Sequence, residues 1–521
     1  MRAPHFLLTT DLDRDNAEKL SVELEVMLDV LTRIGFESSS EPKAQISVVH
    51  FRNEEEYKAV AAKLSGGQVL WSGRHDFERA AFAVVEGEPW PHLNFVDRIR
   101  EIVQHELTHV LTYTHFPQAP TWLNEGLAEY YSTLVADEDG TATMGRQPSH
   151  LGFRDGSWKT VYDDTRRRWV TLIPVREMPS ASALLAMTPD DFYGTFDGDP
   201  ETPAGYEASR QRTIHYGGAW NLVHLLKQDP KYAEAFSAYL NKLRAGGRAA
   251  DAWREAFGPS SNSMLDDDFR ARLAQSKVTA LQTKYDRRNQ VPSEVRALTD
   301  AEGHLLWARL RRWDTDENRA ASLRDINEAA RAPNSEQLAL IRAFWEFNAG
   351  KLAAAEEILK KANRDHPNDR QILNALGWVR LAVLEKSEHR EMRDVTIAME
   401  PVTAALLRVA ESATEFDLLG RYRLLKGDYD GGLAYEKRAI ARDPSCVNCL
   451  ATSAELLAGK GLAREALDTA SLALALLPEG QRSPGLVNQV AGYKRILEGK
   501  TGNAASETRP TPVKSAPANR R

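Results

Sequence analysis

One short stretch of this chain combines residue types that can do metal chemistry: His105-Glu106-Leu107-Thr108-His109. Two imidazoles four residues apart lie about one turn apart on one face of a helix, which suits two ligand positions of a tetrahedral Zn²⁺. The carboxylate between them, Glu106, is placed to take a proton from a water that the metal has made acidic. A three-position match of this kind arises by chance in roughly one chain in fifty, so its surroundings must support it. Phe95, Ile99, Val103, Leu107, Val110 and Leu111 form a continuous apolar arc at helical spacing, with His105 and His109 at one margin and Glu106 inside it. A carboxylate facing a core is costly unless a partner uses its charge, and a metal-activated water is such a partner.

A catalytic zinc takes three protein ligands and leaves one position open. Two residues compete for the third place. Glu125 lies in Trp122-Leu123-Asn124-Glu125-Gly126-Leu127-Ala128-Glu129-Tyr130, after a turn at Pro117 and Pro120, and would reach back from an antiparallel second helix. His115 stands six residues after His109, the metzincin spacing, but that pattern needs a glycine at 112 to turn sharply out of the helix, and residue 112 is Thr. Glu125 is the expected ligand, with His115 as its rival.

The two motifs together resemble the gluzincin metallopeptidases, in particular the peptidase MA-like domains of bacterial proteins. The likeness spans about residues 1–275 and includes a later helix with Tyr216-Gly217-Gly218-Ala219-Trp220-Asn221-Leu222-Val223. It implies one Zn²⁺ per chain held by His105, His109 and Glu125, with Glu106 as general base. It also implies a carboxylate four residues after the ligand Glu that hydrogen-bonds a ligand imidazole, and Glu129 stands at that position. The interval from His109 to Glu125 is shorter than in the large aminopeptidases and their exopeptidase signature is missing, so aminopeptidase specificity is not implied. A tetrahedral oxyanion needs a second donor, which His215 or Tyr216 could supply. Related folds often use a tyrosine there, which favours Tyr216. By analogy of fold, the edge of the N-terminal sheet near residues 80–85 would bind an extended peptide by strand addition.

The framework around these motifs is legible from periodicity. Phe6-Leu7-Leu8-Thr9-Thr10, residues 46–51 and residues 80–85 are strand candidates; Leu20, Leu24, Leu28 and Leu31 mark a helix ending at Gly35. Helices dominate from about Asp97 to about Leu273, with a Pro/Asp/Gly-rich loop near 190–205. The C-terminal third repeats. Pro333, Pro367, Pro444 and Pro478 leave two gaps of 34 residues around one of 77. Small residues recur at fixed offsets from them: Gly350, Ala355 and Ala362; Gly427, Gly432 and Ala439; Gly461, Ala466 and Ala473. This resembles the tetratricopeptide repeat, whose small residues let paired helices pack closely. Gly377 places two repeats in the long gap, one of them lengthened by about nine residues.

The expected architecture is an α+β metallopeptidase-like domain, a small sheet plus zinc-binding helices, followed by an all-α tetratricopeptide-like array. Residues 1–95 form an N-terminal α/β sub-domain and 96–275 a zinc-binding helical one. Residues 276–325 connect, 326–499 form the repeats, and 500–521 are a disordered tail rich in small residues, Pro and Arg.

Composition narrows the partners. The 521 residues carry 67 Lys and Arg against 74 Asp and Glu, a formal net charge of -7, so there is no basic field for nucleic acid. No apolar run reaches the ~18–20 residues of a membrane span, and the start is too short in apolar residues for a secretory signal. A soluble protein is expected, cytoplasmic as read, or extracytoplasmic should a signal lie upstream. Cys446 and Cys449 are the two cysteines and read as semi-buried repeat thiols, with a redox pair or helix-end disulfide as the alternative. Glu54-Glu55-Glu56 reads as a solvated helix start, and the histidines outside the motif, His150 among them, read as structural or surface. The expected function is zinc-dependent, endopeptidase-like hydrolysis of a peptide or protein substrate, with a protein partner held by the repeats. The alternatives are a catalytically silent scaffold with an adaptor role, and a zinc hydrolase of a non-peptide amide.

Overall fold

The structure, a computed structural model, describes residues 1–38, 46–51, 68–71, 81–86, 96–116, 119–137, 139–154, 157–163, 168–194, 202–258, 261–273, 279–286, 294–311, 315–332, 335–386, 392–443, 446–476 and 483–498. The acidic run at 54–56, the turn at Pro117, Phe95 and the tail at 500–521 lie outside the described residues. The chain divides into two units, one built from Met1–Trp71 and Ala80–Arg296, the other from Ala297–Leu477 and the last described helix.

In the first unit, strands β1 (Phe6–Thr10), β2 (Ile46–Phe51), β3 (Gln68–Trp71) and β4 (Ala81–Glu86) form one sheet in the order β1-β2-β4-β3. β1, β2 and β4 run parallel, and β3 is antiparallel to β4. The strand expected at the edge is therefore internal, hydrogen-bonded on both sides, and cannot accept an added strand. β3, which sequence reasoning missed, is the outer strand next to it. Helix α1 (Arg14–Val30) follows β1 and continues as a π turn through Gly35; Leu24, Leu28 and Leu31 are buried, as their spacing predicts.

Helices α2 (Val96–His115) and α3 (Thr121–Ser132) pack against each other, and α3 packs in turn against a long helix, Pro203–Gln228. Val103, Leu107 and Leu111 give α2 its buried face. α3 is buried on all sides. Trp122 stacks on Tyr239, and Leu123, Leu127, Tyr130 and Tyr131 complete its contact surface within one continuous core. Gly126 sets how near the long helix can come: a Cβ there would lie 2.6 Å from the Ala219 carbonyl oxygen.

Helices dominate from Asp97 to Leu273, as expected, but short strands interrupt them. Five strands, β5 (Val135–Ala136), β6 (Thr141–Met144), β7 (Leu151–Arg154), β8 (Lys159–Asp163) and β9 (Arg168–Pro174), lie between α3 and the long helix. β6 pairs with β5 and with β10 (Leu281–Lys284), while β9 pairs with β7 and β8. Part of the region expected as a loop near 190–205 is also helical: a short helix, Pro189–Tyr193, and the first turn of the long helix, which starts at Pro203.

The second unit is a helical repeat array. Helices Ala413–Leu425 and Tyr429–Arg442 are followed by Val447–Gly459 and Ala463–Ala475, so both members of the pair recur after 34 residues. Glu336–Asn348 and Arg370–Lys386 also start 34 residues apart, whereas 43 separate Arg370 from Ala413, the interval that carries the nine extra residues. Helices Asp300–Leu310 and Asp316–Ala329 belong to the same unit. The recurring small residues have two physical roles. Ala355, Ala439, Ala466 and Ala473 are fully buried where helices meet. Gly350, Gly427 and Gly461 instead take positive φ (78°, 70° and 79°) in the turn between paired helices, with open space around them. Cys446 and Cys449 are joined in a disulfide at the start of Val447–Gly459, which replaces the reading as two thiols.

Candidate metal centre

Packing of α2 on α3 brings His105, His109 and Glu125 together, with one ligand atom from each lying within 4.8 Å of the others. Glu125 Oε2 is 3.4 Å from His105 Nε2 and 3.5 Å from His109 Nε2. Ligand atoms of a tetrahedral zinc with bonds of ~2.0–2.1 Å stand ~3.4 Å apart, so these intervals match that geometry. Glu125 is 4% exposed, and its Oε2 has no hydrogen-bond partner among the described residues. Its other oxygen accepts from the Tyr193 hydroxyl at 2.5 Å. A buried carboxylate oxygen left without a hydrogen bond and aimed between two imidazole nitrogens is a donor set that fits a divalent cation.

The charges around this point are uneven. Burial opposes a charged His105, but Glu125, Glu129 and Glu106 outweigh it and push the imidazole up to about 9. Burial alone would raise Glu125, yet His109 and His105, helped by Tyr193, hold it below the usual carboxylate range. Glu106, also on α2, is pushed up, chiefly by burial. Three carboxylates thus surround two imidazoles, a balance that favours added positive charge.

The remaining expected residues separate clearly. Glu129 Oε1 lies 3.5 Å from His105 Nδ1, on the side of the ring away from Glu125, and 3.9 Å from His150 Nε2. The Tyr216 ring is centred 6.3 Å from the His105 ring and packs edge-on against Phe192, and burial puts its phenol well above the usual range. His215 faces elsewhere: its Nδ1 donates to the Phe192 carbonyl at 2.7 Å, and its Nε2 lies 2.9 Å from the Gln211 amide nitrogen. His115 is not among the converging donors. α2 stays helical through Thr112, and the His115 ring ends up against Phe36 and Phe116.

Sequence reasoning gave no role to Asn124, Tyr193 or His150. His109 Nδ1 donates to Asn124 Oδ1 at 3.1 Å, which leaves Nε2 as the metal-facing nitrogen. Asn124 stands inside the Trp-Leu-Asn-Glu-Gly motif, so a signal was present. Tyr193 and His150 come from distant segments and carried none.

No family model matches the chain, and no curated protein matches it. Among solved structures, a thermophilic tetratricopeptide repeat protein of Thermus thermophilus is 20% identical, with a TM-score of 0.32 over 38% of this chain and 99% of that one. The repeat architecture itself rests on the chain's own helix spacing.

Proposed function

We propose that the first unit is a zinc-dependent peptide-bond hydrolase of the gluzincin type, and that the helical repeats hold a protein partner or substrate. The observation that carries this reading is the approach of Glu125 Oε2 to both His105 Nε2 and His109 Nε2, with Glu106 on the same helix as the imidazoles.

His105, His109 and Glu125 would hold the metal. Zinc bound there supplies Lewis acidity, which polarises a carbonyl oxygen and makes a water acidic near neutral pH. Glu106 takes the proton from the attacking water and passes it to the leaving amine; burial, by raising its affinity for that proton, suits it to carry one between the two. Asn124 fixes the His109 tautomer, and Tyr193 holds one oxygen of Glu125 so that the other is presented. Tyr216, whose ring lies beside that of His105, would donate to the oxyanion. Stacked helix pairs form an extended surface suited to a peptide or a partner helix, which assigns the second unit to recruitment.

The test is metal analysis of the purified chain together with a broad peptide-library digest of the parent and of Glu106→Gln. About one zinc per chain is expected. The Gln variant should keep the metal and lose hydrolysis by ~10²–10⁴-fold, because an amide cannot accept the proton. A chain that binds zinc yet cleaves no peptide would point to a silent scaffold or to a non-peptide amide. A chain that binds none would remove the metal reading.

A further inference from the structure

The second unit holds a cysteine pair that peptide hydrolysis does not use. Cys446 and Cys449 are the chain's only cysteines. Cys446 is the N-cap of Val447–Gly459, and its Sγ accepts the Cys449 N–H at 3.2 Å. A sulfur at the positive end of a 13-residue helix is favoured as a thiolate once the disulfide opens. Cys446 is 9% exposed and Cys449 fully buried, so an incoming thiolate meets Cys446 first.

Two carboxylates lie beside the inner sulfur. Asp417 and Glu436, from the helices Ala413–Leu425 and Tyr429–Arg442, are 1% and 0% exposed. Each places an oxygen within 4.8 Å of Cys449 Sγ and of the other. Neither oxygen of Glu436 has a hydrogen-bond partner among the described residues. The polar groups facing the pair are Arg421, with Nε 3.6 Å from Asp417 Oδ1, Thr452, which donates to the same oxygen at 2.7 Å, and the more distant Glu455. Burial, and then Asp417, push Glu436 well above the carboxylate range. Two buried carboxylates this close do not both ionise, so the pair stores a proton next to Cys449.

We propose that Cys446–Cys449 is a reversible dithiol/disulfide centre served by the Asp417–Glu436 pair as proton donor and acceptor, with a low-potential dithiol as its co-substrate. One thiolate of the dithiol attacks Cys446 Sγ. The Cys446–Cys449 bond breaks, Cys449 leaves with the electron pair, and Glu436 gives it the proton. The second thiol of the reductant, after losing its proton to solvent, attacks its own sulfur in the mixed disulfide and releases Cys446 as a thiolate. The reductant is oxidised by two electrons to a disulfide, and the centre is reduced by two. In the reverse direction Glu436 takes the proton from Cys449 as that sulfur attacks.

The probe is dithiothreitol added to the full chain at pH 7, with acid quenching, iodoacetamide trapping and mass measurement. With two cysteines in the chain, every adduct reports on this pair. Both thiols should appear together while the far-ultraviolet dichroism stays native, and oxidised dithiothreitol should restore the bond. Glu436→Gln, which keeps the shape but cannot supply the proton, should slow reduction about tenfold or more, and Asp417→Asn should slow it as well. Slowing in either folded variant supports the proposal. Thiols that appear only in denaturing urea, or folded variants that both reduce at the parent rate, would overturn it. Should Gln at 436 prevent folding, the Asn variant decides, and native-state reduction of the parent decides if neither folds.

Discussion

His109 Nδ1 donates to Asn124 Oδ1 across 3.1 Å, and the next residue in the chain after that acceptor is Glu125. One turn of α3 thereby supplies both a candidate ligand and the group that orients another. Replacing Asn124 with Ala removes this acceptor from Nδ1 and so loosens the orientation of the ring. Zinc affinity, measured by competition with a chelator, should fall about 10–100-fold. Unchanged affinity would mean that the contact does not orient a ligand.

Tyr216 and His215 are neighbours with separate surroundings. Tyr216 lies beside the His105 ring, while the His215 imidazole is bonded to the Phe192 carbonyl. On the proposed function, Tyr216→Phe should lower kcat with little change in KM, by ~2–4 kcal/mol of barrier. His215→Ala should reduce thermal stability and leave kcat within a fewfold of the parent. The opposite pattern would move the oxyanion role to His215.

Residues related by local spacing were the easiest to read. The interval of four between His105 and His109 and the interval of four between Glu125 and Glu129 each put two side chains on one helix face, and helix packing does the rest. Tyr193 could not be found this way, because its bond to Glu125 spans 68 residues and depends on how a short helix is laid down. Strand order is likewise a property of the folded sheet. The apolar run at Ala81–Glu86 announces a strand, but nothing within it tells that Gln68–Trp71 pairs outside it. β5 to β7 are two to four residues long, too short for a period of two to register. In the repeats the 34-residue period was visible, but not the division of its glycines and alanines between turn and interface, which backbone conformation decides.

Gly126 adjoins the candidate ligand Glu125 and touches the long helix at the Ala219 carbonyl. A Cβ at 126 would stand 2.6 Å from that oxygen and from Val223 Cγ2, so α3 must move outward. Gly126→Ala should destabilise the first unit by ~1–3 kcal/mol despite the better helix propensity of alanine. It should also weaken zinc binding, because the shift carries Glu125 with it. A variant at least as stable as the parent, with parental zinc affinity, would show that the two helices can separate at no cost.

His115 offers a test that depends on pH. Its ring is 6% exposed against Phe36 and Phe116, and burial, aided by Arg244, pushes its pKa down from the ordinary 6.5 to about 4. Arg244 is held nearby by a bond to the Phe36 carbonyl and lies over the Phe116 ring. The unfolded chain takes up a proton below pH 6.5 that the folded chain refuses until about pH 4. The contribution to stability is therefore intact above 6.5 and lost as pH falls through this window, at up to about 1.4 kcal/mol per pH unit. His115→Phe keeps an aromatic ring in the cluster and removes the titration. Urea unfolding of both proteins should show the Phe variant gaining on the parent steadily between pH 6.5 and about 4, with the difference levelling below that range. A difference that stays constant with pH would mean that His115 is protonated in the folded chain, and that the aromatic cluster accommodates its charge.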